Sequence, residues 1–403
     1  MESLKIALVS DWFFPSIGGI EYHIHELALN LTKLGHEVHI ITRFGQYSDK
    51  ELPYEVHRFK GSLNVNSFHV SIGVKMLKEI NDLYKRERFD LTHGHSIYSP
   101  MAIGVANLSI GIRGVPSIVT NHSLLGDSLF NLTYLFLLRA SLRKINSFIA
   151  VSKAVEKDFR DILGTRGENK EIRVIPNGID KTFWHPVEDK EEWKEKLGFE
   201  GVVVMTTSRL TKRKRIHLIP KIAHDLKKYG IKGVKFLIIG DGHEREKIRG
   251  LIEAYGVEKD VLMLGQLPRE LIRKYLWASD IYLSPTIYEA FGIAALEALA
   301  CGIPVVANNH GGISEIVEHG RSGLISPNDK GLLENLAYLI ENEGLREEMG
   351  KYGRRRVEEN FTWDKVVKDI INAYEDTINR FVEEPFVLYK IHQGIKNVGI
   401  IDI

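Results

Sequence analysis

The chain has 403 residues, 44% of them hydrophobic, with 54 Lys and Arg against 53 Asp and Glu and a formal net charge of +1. That length exceeds one ordinary core and predicts two domains of comparable size, while the balanced charge supplies no global field for nucleic acid as a partner. The one cysteine, Cys301, excludes a disulfide framework and a cysteine metal cluster, and its apolar neighbours predict a buried structural thiol in a reducing compartment.

Met1 leads directly into an apolar strand, Leu4 to Val9, without the basic, apolar and small-residue order of a signal peptide, so a cytoplasmic protein is expected. Lys5 to Val9, Ile20 to Leu34 closed by Gly35, and Val38 to Thr42 read as a β-α-β unit. Strand-like runs at Leu91 to His93, Ser117 to Thr120, Ser147 to Val151 and Ile172 to Ile175 continue the alternation and predict a parallel sheet covered by helices on both faces. Leu124 to Ile145 is the most apolar stretch. Asp127, Asn131, Arg139, Arg143 and Lys144 interrupt it short of the ~18 residues of a membrane span. Its cationic end, up to Lys144, suits peripheral contact with an anionic membrane, although a buried helix has the same pattern.

A turn-rich stretch, Pro176 to Pro186, and a charged one, Glu188 to Lys196, mark the domain boundary, placed at 183/184. The alternation restarts with strands at Val202 to Thr206, Val234 to Ile239, Val261 to Leu264, Asp280 to Ser284 and Pro304 to Ala307. Helices are predicted over Gly331 to Tyr352 and Asp364 to Val382, and residues after Glu383 show no clear period. The fold class is therefore α/β, two doubly wound parallel-sheet domains, 1–183 and 184–362, with function sought in the loops after the strands.

Five such loops carry chemistry. Asp11 to Glu21 ends in Gly18 and Gly19 just before a helix, where backbone N–H groups can approach an anion. The glycines are too close for a dinucleotide fingerprint, and the second strand ends in Thr42 and Arg43 without an acidic residue for an NAD ribose, which disfavours a dehydrogenase. Ser208 to Arg215 is dense in cations, and Arg209 and Lys214 are candidates to grip a diphosphate. His93-Gly94-His95-Ser96 and Thr120-Asn121-His122-Ser123 place histidines in loops of the first domain, with His122, His95 and Asn121 as candidate site residues. No cysteine or acidic residue stands at ligand spacing and no Asp-x-Asp pair occurs, so the site is read as metal-free. Finally, Tyr288-Glu289-Ala290-Phe291-Gly292-Ile293 opens a small-residue helix that contains Glu297. The N-terminus at Gly292 and Ile293 suits a diphosphate, whereas carboxylates there suit sugar hydroxyls.

Together these residues resemble the retaining glycosyltransferases of family 4, whose two Rossmann-like domains form the GT-B arrangement with a cleft between them. The resemblance runs from about Lys5 to Asp376. It rests on the Glu289 to Glu297 pair, on Pro176-Asn177-Gly178-Ile179-Asp180 and on Gly311-Gly312-Ile313-Ser314-Glu315. It implies that Arg209 and Lys214 hold the donor diphosphate, Glu289 the transferred sugar and Glu297 the ribose, with Gly18 and Gly19 by the phosphates. It also implies a last helix, about 363–382, that packs back on the first domain.

Within the family, Ser10 to Pro15, His93 to Ser96 and Asn121 to Gly126 look most like the catalytic subunit of the N-acetylglucosaminyl-phosphatidylinositol synthase type. The chain differs from that type in showing no C-terminal membrane anchor and in having Arg215 where a glycine usually follows the loop lysine. The resemblance implies a metal-independent, anomer-retaining enzyme without cofactor. A nucleotide sugar, with UDP-N-acetylglucosamine the best match, is its donor, and a glycan, inositol or lipid hydroxyl its acceptor. Front-face attack is implied, with Arg209, Lys214 and the helix N-terminus stabilising the leaving diphosphate, His122 orienting the sugar and the domains closing over the donor. An epimerase of the same fold and a non-catalytic nucleotide-sugar-binding subunit are the alternatives.

Overall fold

The computed structural model describes residues 3–16, 18–43, 52–60, 73–124, 132–164 and 170–397. The chain forms two compact units, Met1–Pro176 with Trp363–Ile403, and Asn177–Thr362. The passage between them thus falls at Pro176, ahead of the 183/184 boundary, because the turn of Asp180 already belongs to the second unit.

The N-terminal unit is built on strands β1 (Lys5–Ser10), β2 (Glu37–Arg43), β3 (Glu55–Phe59), β4 (Leu91–His95), β5 (Ser117–Asn121), β6 (Ser147–Ala150) and β7 (Glu171–Val174). They form one parallel sheet in the order β3-β2-β1-β4-β5-β6-β7. Helices α1 (Gly19–Lys33), α2 (Val74–Glu87), α3 (Pro100–Arg113), α4 (Leu132–Leu142) and α5 (Lys153–Leu163) connect them. Side chains alternate across a strand, so β1 feeds two cores. Ile6 and Leu8 join Leu27 and Leu31 of α1 on one face, and Ala7 and Val9 join Ile80 and Leu83 of α2 and Met101 on the other.

The second unit orders its strands β10-β9-β8-β11-β12-β13. These are β8 (Val202–Thr207), β9 (Val234–Ile239), β10 (Val261–Gly265), β11 (Ile281–Ser284), β12 (Val305–Asn308) and β13 (Gly323–Ser326). Its helices are α6 (Lys190–Leu197), α7 (Ile219–Lys228), α8 (Arg245–Tyr255), α9 (Arg269–Trp277), α10 (Ile293–Ala300), α11 (Ile313–Ile316), α12 (Asp329–Glu341) and α13 (Glu343–Asn360). The chain ends in α14 (Trp363–Asn397), whose Trp363, Val366, Val367, Ile370 and Tyr374 complete the α1-side core of the N-terminal unit.

Four stretches differ from expectation. β3, with alternating polar residues, and β13, only four residues long, gave no apolar run to read. The stretch 331–352 is divided between α12 and α13 at Asn342, and α14 continues well past Val382.

Candidate active site

The loop between β11 and α10 is shaped by two residues with positive φ, Tyr288 at 58° and Gly292 at 103°. Gly292 precedes the first turn of α10, where no side chain caps the helix, so the N–H groups there point outward for an anion. A side chain at Gly292 would also have no room: its Cβ would lie 2.8 Å from Ile313 Cδ1 and 3.3 Å from Ile316 Cδ1. The Gly311-Gly312 stretch is what brings α11 this close. Gly312 N–H donates to the Glu289 carbonyl at 2.7 Å, and Glu289 and Gly311 form a parallel bridge.

On the other side, Ile287 N–H donates to the Arg213 carbonyl at 3.1 Å, tying this loop to the cationic turn after β8. Lys214, in the 3₁₀ turn Lys212–Lys214, then places its Nζ 2.6 Å from Glu289 Oε2, both side chains being less than one-fifth exposed. Cation and carboxylate, expected to serve phosphate and sugar separately, are thus held in contact beside the helix N-terminus. Arg209, between β8 and that turn, is exposed. Arg215, in the left-handed region at φ 55°, reaches Asp329 at the start of α12 with two bonds of 2.8 and 2.5 Å. Glu297 lies further along α10, and desolvation pushes its carboxyl up to about 7, opposed by the Arg269 guanidinium.

In the N-terminal unit, Gly18 is extended and precedes α1, with the Glu21 carboxylate folded against it, 2.6 Å from where a Cβ would sit. That carboxylate accepts from Ser16 Oγ at 2.8 Å, so an acidic group shares the α1 N-terminus beside Gly18 and Gly19. Ile17 lies outside the described residues.

His95 is not a loop residue: β4 continues through it, and flanked by β1 and β5 it is fully buried. Its Nδ1 lies 3.2 Å from His122 Nε2, and His23 of α1 completes a three-histidine group whose ligand atoms lie within 4.8 Å of one another. Spacing along the chain did not reveal this group. Behind it, His93 bonds Tyr374 through Nδ1 and Thr120 through Nε2, both at 2.7 Å. Burial lowers His93 to about 3 and, with neighbouring histidines, lowers His23 and His95, keeping all three neutral. Asn121 is buried and uses its amide on the backbone of Ser123, so its part is to shape the loop that carries His122.

Two residues, one in each unit beside these groups, escaped the sequence reading. His23 interrupts the apolar stripe of α1 at Ile24, Leu27 and Leu31, and Arg269 puts a cation in the first turn of α9, where the helix dipole disfavours one. Each anomaly was a readable signal. Of the apolar stretch Leu124 to Lys144, residues 125–131 lie outside the described residues. Its α4 buries Leu138 and Leu142 while leaving Phe136 and Leu137 exposed. No helix among the described residues is long and apolar enough to cross a membrane.

Residues 17–183 match the family described as Glycosyltransferase Family 4, and residues 189–356 match Glycosyl transferases group 1. The chain is 30% identical over 332 residues to the phosphatidylinositol N-acetylglucosaminyltransferase GPI3 subunit of Saccharomyces cerevisiae, covering 78% of this chain and 70% of that one. It is 27% identical over 399 residues to the N-acetyl-alpha-D-glucosaminyl L-malate synthase of Bacillus anthracis, covering 93% and 97%. Among solved structures, HepE of Anabaena in complex with UDP-glucose superposes with a TM-score of 0.77 at 21% identity, over 93% of this chain and 100% of that one.

Proposed function

The chain belongs to family 4 of the glycosyltransferases, and from that premise we propose that it moves N-acetylglucosamine from UDP-N-acetylglucosamine to a hydroxyl of an inositol phospholipid, retaining the anomeric configuration and using no catalytic metal. The observation that carries this reading is the Lys214–Glu289 pair at the head of α10, with Glu297 further along the same helix. Lys214, Arg209 and the N–H groups at Gly292 and Ile293 would receive the negative charge of the departing diphosphate. Glu289 would accept hydrogen bonds from the transferred sugar and Glu297 from the ribose. As the bond from the anomeric carbon to the diphosphate oxygen breaks, the acceptor oxygen bonds that carbon from the same face, and a diphosphate oxygen takes its proton. UDP leaves. The N-terminal unit contributes His122, which the resemblance assigns to the sugar.

Both relatives named above carry an N-acetylglucosaminyl group in their names, one with phosphatidylinositol and the other with L-malate. That agreement supports the donor, and the difference makes L-malate the second acceptor to test. The same reading keeps the protein in the cytoplasm, meeting lipid through the exposed Phe136 and Leu137 of α4 and the Arg143 and Lys144 that follow.

The test is mass-spectrometric detection of transfer from UDP-N-acetylglucosamine, with phosphatidylinositol in detergent and L-malate as parallel acceptors, chelator present and Glu289→Ala as control. Glycolipid from the wild type alone supports the full reading. Product with L-malate only overturns the lipid acceptor, and neither product, with no UDP released, overturns the donor.

A further inference from the structure

Strands β2 and β3 carry the same triplet, Glu37-Val38-His39 and Glu55-Val56-His57. Residues two apart on a strand share a face, and the parallel register pairs His39 with Glu55 and Ile41 with His57, so His39, Glu55 and His57 stand on one face at the sheet's edge. His39 Nδ1 lies 2.8 Å from His57 Nε2, and Glu55 Oε2 lies 3.5 Å from each of them. The edges of a tetrahedron of ligands around zinc, at about 2.0–2.1 Å per bond, are about 3.3 Å. We propose that His39 Nδ1, His57 Nε2 and Glu55 Oε2 form a binding site for a zinc-like divalent cation that clamps the edge strand β3 to β2.

The tautomer of His39 supports the assignment. Its Nε2 donates to Glu37 Oε1 at 3.0 Å, which leaves the lone pair on Nδ1, facing His57 and Glu55. A carboxylate that orients a ligating imidazole from behind is the usual outer support of such sites. Glu37 in turn pairs with Lys5 Nζ at 2.6 Å, which also reaches Glu87 at 3.1 Å, so the supporting carboxylate has a cation beside it. Without a cation, a single proton on His57 Nε2 faces two acceptors, His39 Nδ1 and Glu55. A dication engages all three donor atoms and leaves a fourth position for water. His39 is fully buried while the Glu55 side chain is 64% exposed, which provides a rigid ligand and an entry path.

This site is separate from the histidine group described above. His39 pairs with Ala7 of β1 and His93 with Leu8, so the two sets stand on opposite faces of the sheet, with β1 between β2 and β4.

The full-length chain, stripped of metal and titrated with zinc against a chromophoric chelator, is expected to bind one ion. Glu55→Gln and His57→Asn should each weaken binding at least tenfold, and Glu37→Gln by about 10–100-fold. Glu55 is exposed, so its variant keeps the fold and isolates the ligand effect, with circular dichroism as the check. Cobalt substitution should give the strong visible absorption of a tetrahedral site in the wild type and not in His57→Asn. Absence of zinc binding by the wild type, or equal affinity in Glu55→Gln and His57→Asn, would overturn the proposal. So would an ion lost on His23→Gln instead, which would locate it at the other histidine group.

Discussion

Lys214 and Glu289 sit between the two regimes of ion-pair energetics. Fully exposed pairs contribute ~0–1 kcal/mol, and breaking fully buried ones costs ~3–5 kcal/mol. With both side chains under one-fifth exposed and Lys214 itself in the cationic turn, the contact serves chiefly to aim the two groups. Glu289→Gln keeps shape and one acceptor oxygen but loses the charge. Turnover is expected to fall about a hundredfold to a thousandfold, while the melting temperature stays close to wild type, as initial rates and thermal melts on one preparation would show. Arg215 offers a different balance. Its left-handed backbone costs ~1–2 kcal/mol in a residue with a Cβ, and its two bonds to Asp329 offset part of this. Arg215→Gly removes strain and bond together and should leave stability within ~1 kcal/mol of wild type, whereas Arg215→Ala keeps the strain alone and should be the less stable in urea unfolding.

At the scale of elements, α10 depends on the residue just before it, Gly292, having no side chain. Gly292→Ala would strain a φ of 103° and push a methyl group into Ile313 and Ile316. A loss of about 2–3 kcal/mol is expected, together with most of the activity, because the α11 contact that positions Glu289 moves with it. Chemical denaturation and rate measurements would check both. Helix α14 is far from the N-terminus in sequence but belongs to the N-terminal core, where Trp363, Val366, Ile370 and Tyr374 are buried. Truncation after residue 362 should abolish cooperative melting of the N-terminal unit. The Asn177–Thr362 unit, with a core of its own, should still melt cooperatively and resist proteolysis.

For the whole molecule, the two units should respond to pH with opposite signs. His93 is lowered by burial from 6.5 to about 3, so the unfolded chain takes up the proton first and stability is lost as pH falls below about 6.5. Between pH 7.5 and 5.5 this group alone removes about 1.4 kcal/mol from the N-terminal unit, and His23 and His95 act in the same direction. Glu297 is raised from 4.5 to about 7, so its contribution is fully present below pH 4.5 and is lost as pH rises through 7. Over the same interval Glu297 favours the second unit at the lower pH by at most about 2 kcal/mol, and His217, lowered by burial, offsets part of this. Calorimetry at the two pH values tests both signs, and Glu297→Gln should flatten the second alone.

How much of this was legible in the chain follows from the range of the interactions involved. Strand and helix periodicity, the loops after strands, the small-residue helix with Glu289 and Glu297, and Lys214 in a cationic turn are local patterns, and local patterns determine fold class and candidate residues by themselves. What needed the tertiary structure were the partnerships between residues distant in sequence. The Lys214–Glu289 contact spans 75 residues and the His93–Tyr374 bond 281. The parallel register that puts His39 beside Glu55 and His57 is likewise set by packing, as is the burial that turns His95 from a loop candidate into part of a histidine group. Side-chain type and spacing say which chemistry a residue can perform. Which groups meet, and how far water is excluded from them, is decided by strand order and helix packing, because charge pairing and desolvation act through space and not along the chain.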